Sequence, residues 1–452
     1  MLSRSAGAIA LTLFALLPLT GVRAGERRGT SLAIDPGPRP GPAGAGGFIG
    51  GLNTDQLTVA NAVIPTFGQV NNVTGTKPVG LGPRFTSNQC SSCHAQPAAG
   101  GSSPSVNPLF NVYQLNGAAN TMPSFITASG PVLDARFPFQ LTNLSATDGT
   151  VHQLFVVTGR NDATGCNIAQ PDFNTAAAEN DLVFRQPLPV FGDGLIELIQ
   201  SADILTNLNS NLSLKQSLGI SGHLNLSGND GSVTRLGWKA QQRSLIMVAG
   251  EAYNVDMGVT NELFPNELDE TLGCVLNPVP ESTTNFNAKQ GWQYPGDPER
   301  FAIFMRFLAP PTPATPTPST LNGEQQFNNI GCVLCHTTSF TTPAAAVAAL
   351  GNVQAKLYSD LAVHHMGPCL ADNIVQGSAQ GDEFRTSPLW GVGQRIFFLH
   401  DGRTSDIVQA VEDHLCTGNG TCQDSESNAV INSFNALSAT DQQDLINFLR
   451  SL

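Results

Sequence analysis

The pentapeptide Cys90-Ser91-Ser92-Cys93-His94 returns as Cys332-Val333-Leu334-Cys335-His336, and this duplication constrains the chain more than any other feature. A C-x-x-C pair alone serves zinc sites, redox dithiols and haem attachment. The histidine that follows narrows the choice, because both thiols can add to haem vinyl groups while the next residue reaches the iron. An all-thiolate zinc site built from Cys90, Cys93, Cys332 and Cys335 would leave His94 and His336 without a reason to follow their cysteines. A dithiol enzyme would set its pair in a βαβ context, which neither block has. Two covalently bound haem c groups, with His94 and His336 as iron ligands, use all six residues.

Such attachment is carried out on exported protein, and the N-terminus agrees. Residues 1–24 read as a signal peptide: Arg4, an apolar run from Ala6 to Leu19, then Val22 and Ala24 before the expected cut. That run is too short for a membrane span, and no later stretch of about 18 apolar residues follows it. The protein is expected to be secreted, most simply into a bacterial periplasm, with no membrane span. Its formal charge of -13 becomes -15 when Arg4 and Arg23 leave with the signal peptide, which contains no acid. An acidic surface argues against nucleic acid or anionic membrane as partner and permits a small basic redox protein as electron donor or acceptor.

Charged residues are only 13% of the chain, beside 45 glycines and 30 prolines, so much of the backbone is loop and turn. Residues 25–47 read as a flexible Gly/Pro leader. "LAPPTPATPTPST", 308–320, reads as an extended Pro/Thr linker between an N-terminal haem domain, 48–307, and a C-terminal cytochrome c-like haem domain, 321–452. In the latter, "SATDQQDLINFLRSL" has Thr440 and Gln443 in capping-box register and Leu445, Phe448, Leu449 and Leu452 on one face. "TSDIVQAVEDHLC" sets Ile407, Val411 and His414 along one helix face. His414 is then either a core histidine or, beside a haem, a second axial ligand. Of the cysteines outside the blocks, Cys416 and Cys422 flank a Gly/Asn turn and are expected to form a disulfide. Cys166 with Cys274 is a second pairing, which leaves Cys369 over.

The segments "LYSDLAVHHMGPCLAD" (357–372), "FRTSPLWGVG" (384–393) and "FLHDGRTSDIVQAVEDH" (398–414) resemble a family of di-haem c-type oxidoreductases, assigned as peroxidases or thiol oxidoreductases. That family is similar to bacterial di-haem cytochrome c peroxidases and to the di-haem enzyme that matures methylamine dehydrogenase. "GTVHQLFVVTGRND" (149–162), "RQPLPVFGDGLIELI" (185–199), "RLGWKA" (235–240) and "VDMGVTNELFP" (255–265) fit the same family, so the resemblance runs from about Phe85 to Leu452. In the peroxidase relatives, the position fourteen after the histidine of H-D-G carries the second axial ligand of the C-terminal haem. Counting from His400 reaches His414, where the peroxidases have methionine and the methylamine relative tyrosine. Histidine there implies a lower potential than methionine would give. His364, His365 and Met366 compete for the role.

No histidine lies between His94 and His152, so the peroxidases' displaceable distal histidine is not visible, and the resemblance implies an open first iron. The shared punctuation of "RQPLPVFGDGLIELI" and "FRTSPLWGVG" suggests an internal duplication and makes Glu197 the candidate distal carboxylate, unless it only ends a helix. His152 either faces the same pocket or anchors a strand. Trp238 and Trp390 are the candidate electron-transfer aromatics. His364, Arg385 and His400 are candidates to orient the iron ligands. The relatives hold calcium between their domains; "LSGNDGSVTR" (226–235) has few acids, which leaves Ca2+ open and unsupported.

The expected fold is mainly α: two cytochrome c-like helical haem domains, the first enlarged by a long loop-rich insertion with some β. The expected function is a periplasmic, peroxidase-like di-haem oxidoreductase using hydrogen peroxide or dioxygen at the N-terminal haem, with the C-terminal haem passing electrons. An electron carrier without turnover, and an oxygenase of the di-haem rubber-oxygenase type, are the alternatives.

Overall fold

The structure, a computed structural model, describes residues 31–73 and 79–452; the expected signal peptide lies outside them. The chain is helix-rich, and its β content is five small antiparallel sheets among the described residues. In the first half, helices Thr54–Phe67, Leu245–Met257 and Asp297–Phe307 pack together. Their contacts are aromatic: Phe67 stacks on Phe304 at 4.4 Å, and Tyr253 meets Phe301 edge-on at 5.0 Å. A three-stranded sheet, with Asp134–Arg136 between Val151–His152 and Val183–Arg185, is the largest sheet among the described residues.

In the second half, helices Pro318–Asn329 and Ala439–Ser451 cross closely. The crossing requires glycine at 323, because a Cβ there would lie 2.0 Å from the Asp444 carbonyl oxygen. Phe327 and Phe448 pack at 5.5 Å beside it. The last helix starts before the expected box: Ser438 caps it by accepting from the Asp441 N–H.

Two departures concern the Pro- and Gly-rich segments. The described part of the expected flexible leader is tied down. Asp35 pairs with Arg450 at 2.5 Å and accepts from the Ile407 N–H at 2.9 Å, while Gln442 accepts from the Leu32 N–H at 2.7 Å. Arg450 is buried, so its guanidinium needs a counter-charge, and the leader brings it. The Pro/Thr stretch runs extended beside the leader, with Ala309 N–H donating to Gly47 and Thr312 N–H to Gly44, and turns helical at Pro318 behind a Thr317 cap.

Apolar burial does not divide at this stretch. Phe340, Leu350, Leu357, Leu361 and Trp390 join the large core of the first half, whereas Phe327, Phe398, Phe434 and Leu445 form a separate cluster. Buried ion pairs also cross it: Asp372 holds Arg185 at 2.5 Å and Lys239 at 3.1 Å.

Candidate functional site

The second block opens with Gly331 at φ 101°, a left-handed conformation that suits glycine and starts the single turn Cys332–Leu334. Cys332 and Cys335 are unbridged, and both line a largely apolar cavity of about 1450 Å³ of atom-free space, part of it open to solvent. Phe327, Phe398 and Leu445 supply apolar wall, and His336 and His414 both reach the same cavity. The Nδ1–H of His336 donates to the Tyr358 carbonyl at 2.9 Å, and that of His414 to the Ala410 carbonyl at 2.7 Å. Burial pushes His336 down to about 4 and lowers His414 as well. Both imidazoles are therefore neutral near pH 7, with Nε2 free to bind a metal, the arrangement in which a carbonyl fixes tautomer and ring orientation.

Hydrogen bonding sorts the chain's 8 histidines. His94 shares the pattern, its Nδ1–H donating to the Gly101 carbonyl at 3.1 Å. The others are committed or lack the carbonyl tether. His152 donates Nε2–H to Asp148 at 3.1 Å and stacks on Phe137 at 3.7 Å. His223 uses both nitrogens, on the Leu224 carbonyl and Glu383. His364 is held between Asp360 at 3.0 Å and Glu426 at 2.7 Å, and His365 between Asp382 and Glu383. The His400 imidazole has no hydrogen bond among the described residues and stacks on Phe384 at 4.2 Å. The histidines that competed with His414 thus have their nitrogens occupied, although Met366 also lines the cavity.

The first block is a one-turn helix, Cys90–Cys93, with the His94 N–H donating to the Cys90 carbonyl at 3.0 Å. Its thiols are unbridged. Burial, reinforced by the charge of Asp256, raises Cys90; burial also pushes Cys93 up to about 11, so both are neutral thiols. The expected distal carboxylate is elsewhere engaged: Glu197 takes Arg306 in a two-pronged ion pair at 2.6 and 3.0 Å and accepts from the Leu245 N–H at 2.8 Å. It braces three helices and caps one of them. His152, bonded to Asp148, sits in its strand against Phe137.

Two residues that sequence reasoning missed stand beside the first block instead. Asp256, near the end of helix Leu245–Met257, and Asp134 have no side-chain hydrogen bond among the described residues. Burial, then repulsion from Asp134, raises Asp256 well above its ordinary value against Arg136, and burial raises Asp134 against Arg136 and Arg185. The charge of Asp256 acts on both Cys90 and Cys93, and that of Asp134 on Cys93. The signal was present in the "VDMG" run (255–258), an acid inside an otherwise apolar helix end.

The two tryptophans take different places. Trp238 lines the second cavity, donates Nε1–H to the Gln186 carbonyl at 3.0 Å and lies edge-on to His400. Trp390 belongs to the first core, packed closely against Gly192, while its neighbour Leu389 lines the second cavity. Arg385 also lines that cavity.

The disulfides are Cys166–Cys274 and Cys369–Cys416. The expected Cys416–Cys422 bond is not formed, and Cys422 is free. The intervening turn is instead organised by Asn419, which accepts from the Thr421 and Cys422 N–H groups, while the Gly367 turn brings Cys369 to Cys416. In the loop weighed for calcium, Asp230 is occupied by Ser232 and Arg243. Among the described residues no helix is long and apolar enough to cross a membrane.

Residues 139–452 match the model of the family described as "Di-haem oxidoreductase, putative peroxidase". No curated protein matches the chain. Among solved structures, hydrazine synthase of Kuenenia stuttgartiensis shares 14% identity over 60% of this chain and 73% of its own, with a TM-score of 0.31. The diheme peroxidase BthA of Burkholderia thailandensis shares 16% over 54% and 76%, also at 0.31. A MauG-like protein associated with microbial copper homeostasis shares 14% over 56% and 89%, at 0.28.

Proposed function

Because this chain belongs to the di-haem oxidoreductase family, we propose that it is a peroxidase-type enzyme that carries one haem c on each C-x-x-C-H block and turns over peroxide at the first. The observation that carries this reading is the histidine sorting. Only His336 and His414 combine a carbonyl-tethered Nδ1 with no second hydrogen bond on the ring among the described residues, and His94 has its Nδ1 tethered to the Gly101 carbonyl with the Leu188 carbonyl also acting on its imidazole. The first two share the second cavity and neither joins His94, which supports a six-coordinate second site and a first site with one position open. The residues fit the group: unbridged thiols, neutral imidazoles and apolar walls occur together at the second block.

When bound, the haems would supply the redox chemistry of peroxide reduction and electron storage. The chain supplies anchoring, orientation and protons. Cys90, Cys93, Cys332 and Cys335 anchor, and the carbonyls of Gly101, Tyr358 and Ala410 aim the three imidazoles. At the first site the carboxyl of Asp256, with Asp134 beside it, holds a proton that it can deliver to the leaving oxygen and recover. That role passes to it from Glu197. Trp390, between the first core and the wall of the second cavity, is placed to conduct electrons. The two-domain organisation, export to the periplasm and a small redox protein as electron donor belong to the same proposal.

Ferric absorption and electron paramagnetic resonance of the mature protein, before and after peroxide, test it. One high-spin and one low-spin iron, with the high-spin signal lost on peroxide, is the expected result. Two low-spin irons indifferent to peroxide would make the protein an electron carrier.

A further inference from the structure

The second cavity holds two guanidiniums that the protein does not neutralise. Arg385 and Arg395 both line it and are 6% and 7% exposed. Arg385 donates from Nη1 to the Arg235 carbonyl at 2.8 Å, and its Nε is buried without a partner. Arg395 has buried Nε and Nη2 atoms without partners. Neither forms an ion pair among the described residues. Burial lowers both to about 10; Asp193 is the charge that opposes this at Arg385, and no charge opposes it at Arg395. The acid among the lining residues, Glu426, is already committed to His364 and Ser221. Isolated buried cations are strongly disfavoured unless something anionic pairs with them. A cavity with apolar walls and two orphaned guanidinium forks calls for a flat apolar ligand bearing two carboxylates.

We propose that Arg385 and Arg395 hold the two propionate carboxylates of the haem carried by the second block. This rests on the two-haem reading and adds the polar half of the site to its thiol and imidazole half. Guanidinium forks match carboxylates bidentately. They also set potential: reduction adds a negative charge to the haem, so adjacent cations favour the reduced form.

The test is a spectroelectrochemical titration of the second haem in holoprotein, with haem count by mass spectrometry on the same samples. Arg385→Gln and Arg395→Gln are each expected to lower the reduction equilibrium constant about tenfold, ~59 mV for a one-electron couple. Arg395→Lys, which keeps the charge and loses the fork, is expected to restore most of the shift. Arg243→Gln, which removes an exposed cation paired with Asp230, is expected to leave the potential in place. Gln variants with both haems attached and an unmoved potential would overturn the clamp and leave the two-haem reading intact. An equal shift in Arg243→Gln would overturn it too, as an effect of net charge. Parental protein carrying fewer than two haems would defeat the two-haem reading itself, and the clamp with it.

Discussion

The two C-x-x-C-H blocks begin from the same chemistry and differ in what the rest of the chain brings to them. Around the second, His414 arrives from the turn that follows helix Ile407–Glu412, and the charged groups lining the cavity without an ion pair among the described residues are Arg385 and Arg395. Around the first, no second free imidazole arrives among the described residues, and the carboxyls without a side-chain hydrogen bond are Asp134 and Asp256, both raised by burial. On the proposed reading, the pair of imidazoles and cations at the second block suits holding an electron, and the single imidazole with raised carboxyls at the first suits proton-coupled chemistry on a small molecule. The same motif stands in two different surroundings, and in the proposed function those tertiary neighbours decide which task each copy performs.

The comparison breaks most completely at the anchors. Replacing Cys90 and Cys93 by Ala is expected to remove one haem mass and all peroxide reactivity, whereas the same change at Cys332 and Cys335 removes one haem mass and leaves an iron that still binds peroxide. Asp256→Asn is expected to slow the reaction with peroxide by about 10²–10⁴, the usual worth of a positioned acid/base, in stopped-flow absorption. Glu197→Gln, by contrast, should cost stability through its lost Arg306 pair. His414→Ala should convert the second iron from low to high spin by electron paramagnetic resonance while leaving the first iron's signal unchanged. A second iron that stays low-spin would transfer the ligand role to Met366, which lines the same cavity.

The two blocks could be read from residue order, because the proposed attachment residues are local in sequence. The approach of His414 to the cavity that His336 lines agrees with the helical periodicity and the spacing from His400 that singled it out. What sequence missed depended on long-range placement. The Cys416–Cys422 pairing followed loop length alone, but Cys369, 47 residues from Cys416, is folded against it. The leader looked flexible by composition, yet a buried Arg450 captures Asp35 across 415 positions. Glu197 was chosen by analogy between two segments, and its Arg306 partner lies 109 residues away. Asp256 gave only a weak signal, since one acid in an apolar helix end reads as surface until the packing around it is known.

The smallest expected effect separates the two sites by pH. Burial first, and then like charge, raises Asp256, and burial raises Asp134. A carboxyl whose folded pKa exceeds its unfolded one binds its proton more tightly in the folded chain. Its contribution to stability is therefore complete below the unfolded value of 3.8 and shrinks as pH rises toward the folded value. While one such group titrates, stability should fall by at most about 1.4 kcal/mol per pH unit. Asp256→Asn should flatten that slope in denaturant titrations run from pH 5 to pH 8. Arg395→Gln should not, because a guanidinium held near 10 stays charged throughout this window. Parallel slopes for the Asp256→Asn variant and the parent would mean that Asp256 is already ionised in the folded chain. The first site would then lack the proton that distinguishes it from the second.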